Sequence, residues 1–301
     1  MPTIPSFDLG NGVAMPALGY GVFQIDPAAT CQAVSQALDC GYRLIDTASA
    51  YHNEQGVGEA LARWMAEGRL TRDEVFVSTK VWVTQFGLEE THRAVAGSLR
   101  RLGLEYADMI LLHFPVPSAF EKTLAAYRAL EEEQADGRIR AIGVCNFHVH
   151  HLQKLMDQCH VVPAVNQVEL HPCFNQAALM AFHAQHGIVT QAWSPLGAVM
   201  QYDPASLDRP RRLLDEPVLG ELARACGKSP AQVVLRWHMQ RGVAVIPKSV
   251  HRERMVENLD IFDFVLSDEA MARINALDSG QRAALDPDLV TMDTYPNTIE
   301  D

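Results

Sequence analysis

The chain is short of positive charge: 25 lysines and arginines stand against 37 aspartates and glutamates, a formal net charge of −12. A surface of that sign repels nucleic acid and anionic membranes, so neither is an expected partner. Any anionic ligand must then be held by a local cluster of cations. No uninterrupted apolar run approaches the roughly 18 residues of a membrane span, and MPTIPSFDLG lacks the apolar stretch of a secretion signal. A cytoplasmic protein is expected. No CxxC pair occurs among Cys31, Cys40, Cys145, Cys159, Cys173 and Cys226, which speaks against a disulfide framework. Cys159, His160, His171 and Cys173 lack the two close pairs of a structural zinc site, so no metal is expected. His148, His150 and His151 read as the solvated start of a helix.

Two nucleotide-binding motifs are missing as well. Gly19 and Gly21 are followed by Gln24 where a dinucleotide fingerprint needs its third glycine, so a Rossmann site is not supported. Gly227-Lys228-Ser229 imitates the end of a phosphate loop, yet position 222, where that loop needs glycine, is leucine. Ser229, Pro230 and Gln232 read instead as a capped helix start.

What the chain does have is a repeat of strand and helix. LGYGVFQ, YRLIDTA, VFVSTKVW, MILLHF, IRAIGVCN, AVNQVEL, IVTQAWSPL and VAVIPKSV are eight short β-rich runs. Several, such as Met109 to Leu112, are apolar at consecutive positions, the mark of strands buried on both faces of a parallel sheet. Helix candidates fill the gaps: Pro27 to Cys40, Glu54 to Ala66, Leu88 to Arg101, Phe120 to Ala135, His148 to Asp157, Gln176 to His186, Ser229 to Gln240 and Arg252 to Leu259. Eight β/α repeats without a composition break predict an α/β chain folded as one (β/α)8 TIM barrel, a single domain over residues 1–301. A doubly wound sheet fits less well. Asn11-Gly12 predicts an N-terminal hairpin that caps the barrel. Residues 197–228 form a long loop after the seventh strand, ending in an extra helix from Glu216 to Cys226, and a tail follows Leu277. Long loops and tails of this kind shape a site.

Four residues carry the chemistry. Asp46 and Tyr51 in RLIDTASAY, Lys80 in VFVSTKVW and His113 in MILLHFP each close or follow a strand, so a parallel barrel gathers them at one end. Lys80 interrupts an apolar run, where its charge is costly unless paired, and Asp46 is the natural partner. Carbonyl reduction needs an acid that protonates the developing alkoxide. Tyrosine, with an ordinary pKa of about 10, needs a neighbouring cation to favour its ionised form. Lys80 can supply that cation, and His113 a hydrogen bond that orients the carbonyl. Trp82, Phe23 and Phe114 form the expected apolar wall for substrate, with Tyr20 and the 197–228 loop as further candidates.

With these residues in place the chain resembles an aldo-keto reductase over nearly its whole length. RLIDTASAY, GRIRAIGVCNF, NQVELHP, SPLG and IPKSVHRERMVENL stand in that family's order and spacing. The resemblance implies an NADPH-preferring barrel, acting as a monomer on a small carbonyl substrate, with Asp46, Tyr51, Lys80 and His113 as catalytic tetrad. It places Asn146 and Gln167 at the nicotinamide carboxamide and Trp193 on the nicotinamide ring. Gly21, Val22, Ser194 and Leu196 line the cofactor, and Lys248, Ser249, Val250 and Arg254 clamp the adenosine 2′-phosphate, with Glu257 and Asn258 near the adenine. Departures occur where Cys145 replaces the usual serine beside Asn146, where His251 replaces a small hydroxyl residue, and where Phe23 and Phe114 replace tryptophans. The two smaller rings imply a roomier pocket. Two other classes remain open: a Schiff-base lyase using Lys80 as nucleophile, and a nucleotide-sensing barrel subunit with little turnover.

Overall fold

The computed structural model describes residues 4–10, 12–197, 213–294 and 299. Ser6–Asp8 (β1) and Ala14–Pro16 (β2) pair antiparallel, with Phe7 opposite Met15. Gly12 in the connecting turn has φ +77°, a backbone conformation that favours glycine. Asn11, the other half of the expected turn, lies outside the described residues.

Strand and helix then alternate. The first half comprises Tyr20–Gly21 (β3), Pro27–Cys40 (α1), Leu44–Asp46 (β4), Glu54–Ala66 (α2), Phe76–Val81 (β5), Leu88–Leu102 (α3), Ala107–Leu112 (β6) and Phe120–Ala135 (α4). The second half comprises Ile139–Cys145 (β7), Val149–Met156 (α5), Val165–Glu169 (β8), Ala177–His186 (α6), Val189–Trp193 (β9), Pro217–Cys226 (α7), Pro230–Gln240 (α8), Ala244–Val245 (β10), Arg252–Leu259 (α9) and Asp268–Asn275 (α10). Strands β3 to β10 form one parallel sheet in sequence order. The sheet closes on itself, since Gly19 N donates to Val245 O and Val245 N to Ala17 O, each at 2.8 Å. This is the (β/α)8 barrel that the repeat predicts.

Strand periodicity explains the consecutive apolar runs. Met109 and Leu111 join Leu44, Phe76 and Val165 in the barrel interior, where Leu9, Val13 and Met15 of the hairpin plug the lower end. Ile110 and Leu112 point the other way, into the layer between sheet and helices. Capping chemistry sets helix starts. The Ser229 side chain accepts from Gln232 N at 3.3 Å while Gln232 Oε1 accepts from Ser229 N at 2.9 Å, so the phosphate-loop imitation is a capping box.

One element differs from the sequence reading. Helix α10 was not anticipated, although Ser267 as N-cap, Asp268 and Glu269 in the first turn and Arg273 in the last give it ordinary start and stop signals. Most of the expected 197–228 loop, residues 198–212, lies outside the described residues. Its extra helix is α7. Among the described residues no helix is long and apolar enough to cross a membrane.

Candidate active site

Above the apolar plug the barrel interior turns polar. Asp46 ends β4, and the register sets it beside Ser78 on β5. Alternation puts Ser78 and Lys80 on the same face of that strand, so both reach the aspartate. Lys80 Nζ donates to Asp46 Oδ2 at 2.7 Å and to Thr47 O at 2.9 Å. Asp46 Oδ1 accepts from Ser78 Oγ at 2.8 Å and from Gln167 Nε2 at 2.9 Å. Every charge in this layer is thus compensated, as a buried ion pair requires. Burial by itself pushes the Lys80 ammonium down, but Asp46, with Tyr51 and Cys145, outweighs it and the net direction is up.

Tyr51 ends a short 3-10 turn, Ser49–Tyr51, directly after β4. Ser49 pins that turn by donating to Lys80 O and Gln85 Oε1, both at 3.0 Å. The result places Lys80 Nζ 5.1 Å from the Tyr51 ring centroid. Tyr51 is only partly buried, at the open end of the barrel. Burial raises its phenol, Lys80 pulls in the opposite direction and Asp46 raises it again, so the net direction is up. The lysine therefore moderates a burial effect rather than reversing it.

His113 follows β6, with its ring centroid 5.7 Å from that of Tyr51 at an interplanar angle of 76°. Burial, and then the nearby Lys80 charge, holds its pKa well below the ordinary imidazole value, so the ring is neutral at pH 7. Its Nδ1 is buried and has no hydrogen-bond partner among the described residues. Trp82 packs edge-on to His113 at 4.9 Å, Phe114 stacks on it at 5.4 Å and Phe23 lies 4.8 Å from Tyr51. Phe23 is exposed at the rim. Tyr20, a further candidate for this wall, is a correction: it is 1% exposed, packs on Tyr42, and donates from its hydroxyl to Ser249 O at 2.5 Å. It belongs to the packing beneath the rim.

The second group lies at the ends of β7 to β9. Asn146 has φ +66° and Ser194 φ +47°, left-handed conformations that are uncommon outside glycine, though asparagine takes them more readily than serine. Asn146 Nδ2 donates to His113 O at 3.1 Å and its Oδ1 accepts from Trp193 Nε1 at 2.9 Å, so this side chain ties the two groups together. Gln167 Nε2 also donates to Gln191 Oε1 at 2.8 Å. Cys145 Sγ stands 3.2 Å from Asn146 Nδ2 and 3.8 Å from Gln167 Oε1, and burial pushes its pKa up, so it stays a thiol. Trp193 and Leu196 are half-buried.

Gly21 and Val22 are buried in β3 and just after it, and their amides donate to Pro247 O and Asp46 O. Neither amide is open to a ligand. At the head of α9, Lys248, Val250 and Arg254 are exposed, whereas Ser249 is buried. Lys248 and Arg254 make no ion pair among the described residues. Glu257 is half-buried and Asn258 is buried against Tyr42.

The sequence reading missed Ser78, Gln191 and the carbonyl of Thr47. Ser78 was within reach of it, two residues before Lys80 on one strand face. It also missed Glu169, which ends β8 and is taken up below. The three histidines stand at a helix start as expected, with His148 as N-cap and His150 exposed, but His151 is buried and all three lie around a carboxylate of the tail.

The Aldo/keto reductase family profile matches residues 8–279. Morphine 6-dehydrogenase of Pseudomonas putida is 47% identical over 284 residues, 94% of each chain. Methylglyoxal reductase DkgA of Escherichia coli K12 is 42% identical over 287 residues, 95% of this chain and 98% of that one. An aldo-keto reductase of Bombyx mori solved in complex with NADP superposes with a TM-score of 0.88 at 32% identity, covering 100% of both chains.

Proposed function

This chain belongs to the aldo/keto reductase family, and from that premise we propose that it reduces aldehydes, ketones or ketosugars to alcohols with NADPH. The observation that carries the proposal is the buried Lys80 ammonium, paired with Asp46 and 5.1 Å from the Tyr51 ring. A paired cation beside a phenol at an open barrel mouth is what a tyrosine general acid needs.

The residues present fit a nicotinamide nucleotide. Trp193 offers a half-exposed ring at the end of β9, and Asn146, bonded to its indole N–H, and the buried Gln167 are the side chains assigned to the carboxamide. Lys248 and Arg254 are exposed cations of a strongly acidic protein and suit the 2′-phosphate. Ser194, Leu196, Ser249, Val250, Glu257 and Asn258 complete the cofactor assignment, and Gly21 and Val22 enter it as the buried backbone that supports the site, since their amides and the Val22 carbonyl are engaged within the protein. When bound, the nucleotide supplies the hydride.

The chain's own residues do the rest. Neutral His113 donates a ring N–H to, and so orients, the substrate carbonyl. Tyr51 gives its phenolic proton to the carbonyl oxygen as charge develops there. Lys80 stabilises the resulting phenolate, and Asp46, held by Ser78 and Gln167, keeps that lysine charged and in place. Trp82, Phe23 and Phe114 exclude water from the reacting carbonyl.

A lyase reading is disfavoured by the same geometry. An ammonium held by Asp46 and Thr47 O has no free lone pair with which to attack a carbonyl. The test is a panel of aldehydes, ketones and ketosugars assayed by loss of NADPH absorbance, with borohydride trapping on Lys80 as the alternative outcome. NADPH consumption with alcohol formation supports the proposal. A borohydride-stable adduct without NADPH consumption overturns it.

A further inference from the structure

The head of α5 and the C-terminal tail form a second constellation, apart from the proposed catalytic residues. Asp288 Oδ1 lies 2.9 Å from His151 Nε2, 3.0 Å from His150 Nε2 and 3.5 Å from His148 Nδ1. His151 is 2% exposed, and its far side meets the rings of Phe120 and Phe147. One ligand atom from each of the four residues lies within 4.8 Å of the others, so a metal site is the first reading.

The other ring nitrogens argue against it. His151 Nδ1 accepts from the backbone N–H of His148 at 3.1 Å, and His148 Nε2 accepts from the Arg282 guanidinium, 2.9 Å away. Amide and guanidinium nitrogens can only donate, so each imidazole accepts on that side and carries its proton on the side facing Asp288. A metal-ligating histidine needs the opposite arrangement, a lone pair toward the metal and an N–H toward an acceptor. With His150 Nε2 hydrogen-bonded to Asp288 at 3.0 Å and the other two rings turned toward the same oxygen, the cluster is a carboxylate receptor rather than a metal cage.

We propose that His148, His150 and His151 receive the carboxylate of the chain's own tail, and that Asp288 is the bolt of a proton-gated clasp holding residues 282–288 to the barrel rim. The inference goes beyond the proposed activity and does not rest on it. The clasped segment also donates the backbone amides of Ala283 and Ala284 to the buried Glu169 carboxylate, at 2.7 and 3.2 Å. Arg282 and Pro287 line a small cleft with Asn146 and Glu169, so the clasp borders the proposed cofactor site.

The gate follows from the hydrogen bonds. A proton added to His151 Nδ1 would oppose the His148 N–H, and one added to His148 Nε2 would oppose Arg282. Each protonation therefore breaks a bond that orients the cradle. Burial and then the Arg282 charge lower His148, and burial and then His150 push His151 down to about 4. Asp288 and Asp286, the latter 3.8 Å from His148 Nε2, favour the charged rings without outweighing these effects. A released imidazole titrates near 6.5, so the clasp is complete above that pH and weakens as pH falls toward 4.

Hydrogen exchange of tail peptides from the full chain, corrected for intrinsic rate, tests this at pH 7.5 and 5.5. Protonation of His148 Nε2, which displaces the Arg282 bond, makes release severalfold easier at the lower pH. The wild-type tail should lose about that much protection. Asp288→Asn, checked for folding by circular dichroism, should be unprotected at both pH values. Equal wild-type protection at the two pH values overturns the proposal, and that arm requires no variant to fold. Full protection in Asp288→Asn overturns it too. Zn2+ added to wild type at pH 7.5 should neither bind stoichiometrically by calorimetry nor raise protection; if it does both, the group is a metal site and the clasp is wrong.

Discussion

Lys80 Nζ and Asp46 Oδ2 lie 2.7 Å apart inside the barrel, with side-chain exposures of 0% and 3%. The pair is both the electrostatic centre of the candidate site and its most exacting structural element, since neither charge can be left alone in that interior.

Asp46→Ala should destabilise the fold by roughly 3–5 kcal/mol, because it leaves an uncompensated buried ammonium. The double variant Asp46→Ala with Lys80→Met should lose less than the single one. Urea denaturation followed by circular dichroism measures both. Because the folded-state pKa of Lys80 is raised, its stabilisation is complete below the unfolded value of about 10.4 and is lost only as pH rises through the folded value. A double variant no more stable than Asp46→Ala would show that the aspartate is needed for something other than the lysine.

Tyr51→Phe should bind NADPH normally but lose at least the roughly 10²–10⁴ in turnover that a general acid supplies. The acid must be protonated to act and burial raises its pKa, so the wild-type rate should hold through neutral pH and fall only in alkali. Lys80→Met removes the influence that lowers the phenol, so any residual activity should fall at a still higher pH. A pH–rate profile with an activated aldehyde checks the direction. Normal reduction by Tyr51→Phe would sink the mechanism.

His113→Ala should damage kcat/KM by about 10–100-fold, the scale of about one to two lost hydrogen bonds to the reacting carbonyl. NADPH affinity should stay near normal, since the ring packs on the substrate side against Trp82 and Phe114. Loss of activity in His113→Ala alongside an active Tyr51→Phe would exchange the two roles.

Arg254→Ala should weaken NADPH binding roughly 10- to 150-fold, the equivalent of losing one charge-assisted contact of about 1.5–3 kcal/mol. NADH lacks the 2′-phosphate and should be little affected. Quenching of tryptophan fluorescence, with Trp193 at the nicotinamide end as reporter, titrates both cofactors. Equal losses would assign Arg254 to the adenine or the fold instead.

The barrel was legible in the sequence because each of its signals is local. Consecutive apolar positions such as Met109 to Leu112 mark strands buried on two faces, and Ser229, Pro230 and Gln232 write a helix start in adjacent residues. The Lys80 and Asp46 pairing was legible for a different reason. A charge within an apolar run must find its counter-charge, and the chain offered one at the end of the preceding strand. What only the tertiary structure decided depends on residues far apart in sequence. Gln167 reaches Asp46 across 121 positions because strand register, not local pattern, brings β8 opposite β4 in the barrel interior. Tyr20 looked like pocket wall until Ser249 O, 229 positions away, claimed its hydroxyl. The histidines of α5 read as solvated because the aspartate that gathers them lies 138 positions on from His150, in a tail without periodicity of its own. Local sequence fixes the period of burial and the caps of helices; the partners of buried polar groups are set by how the closed sheet and its tail are threaded, and no short-range pattern encodes that.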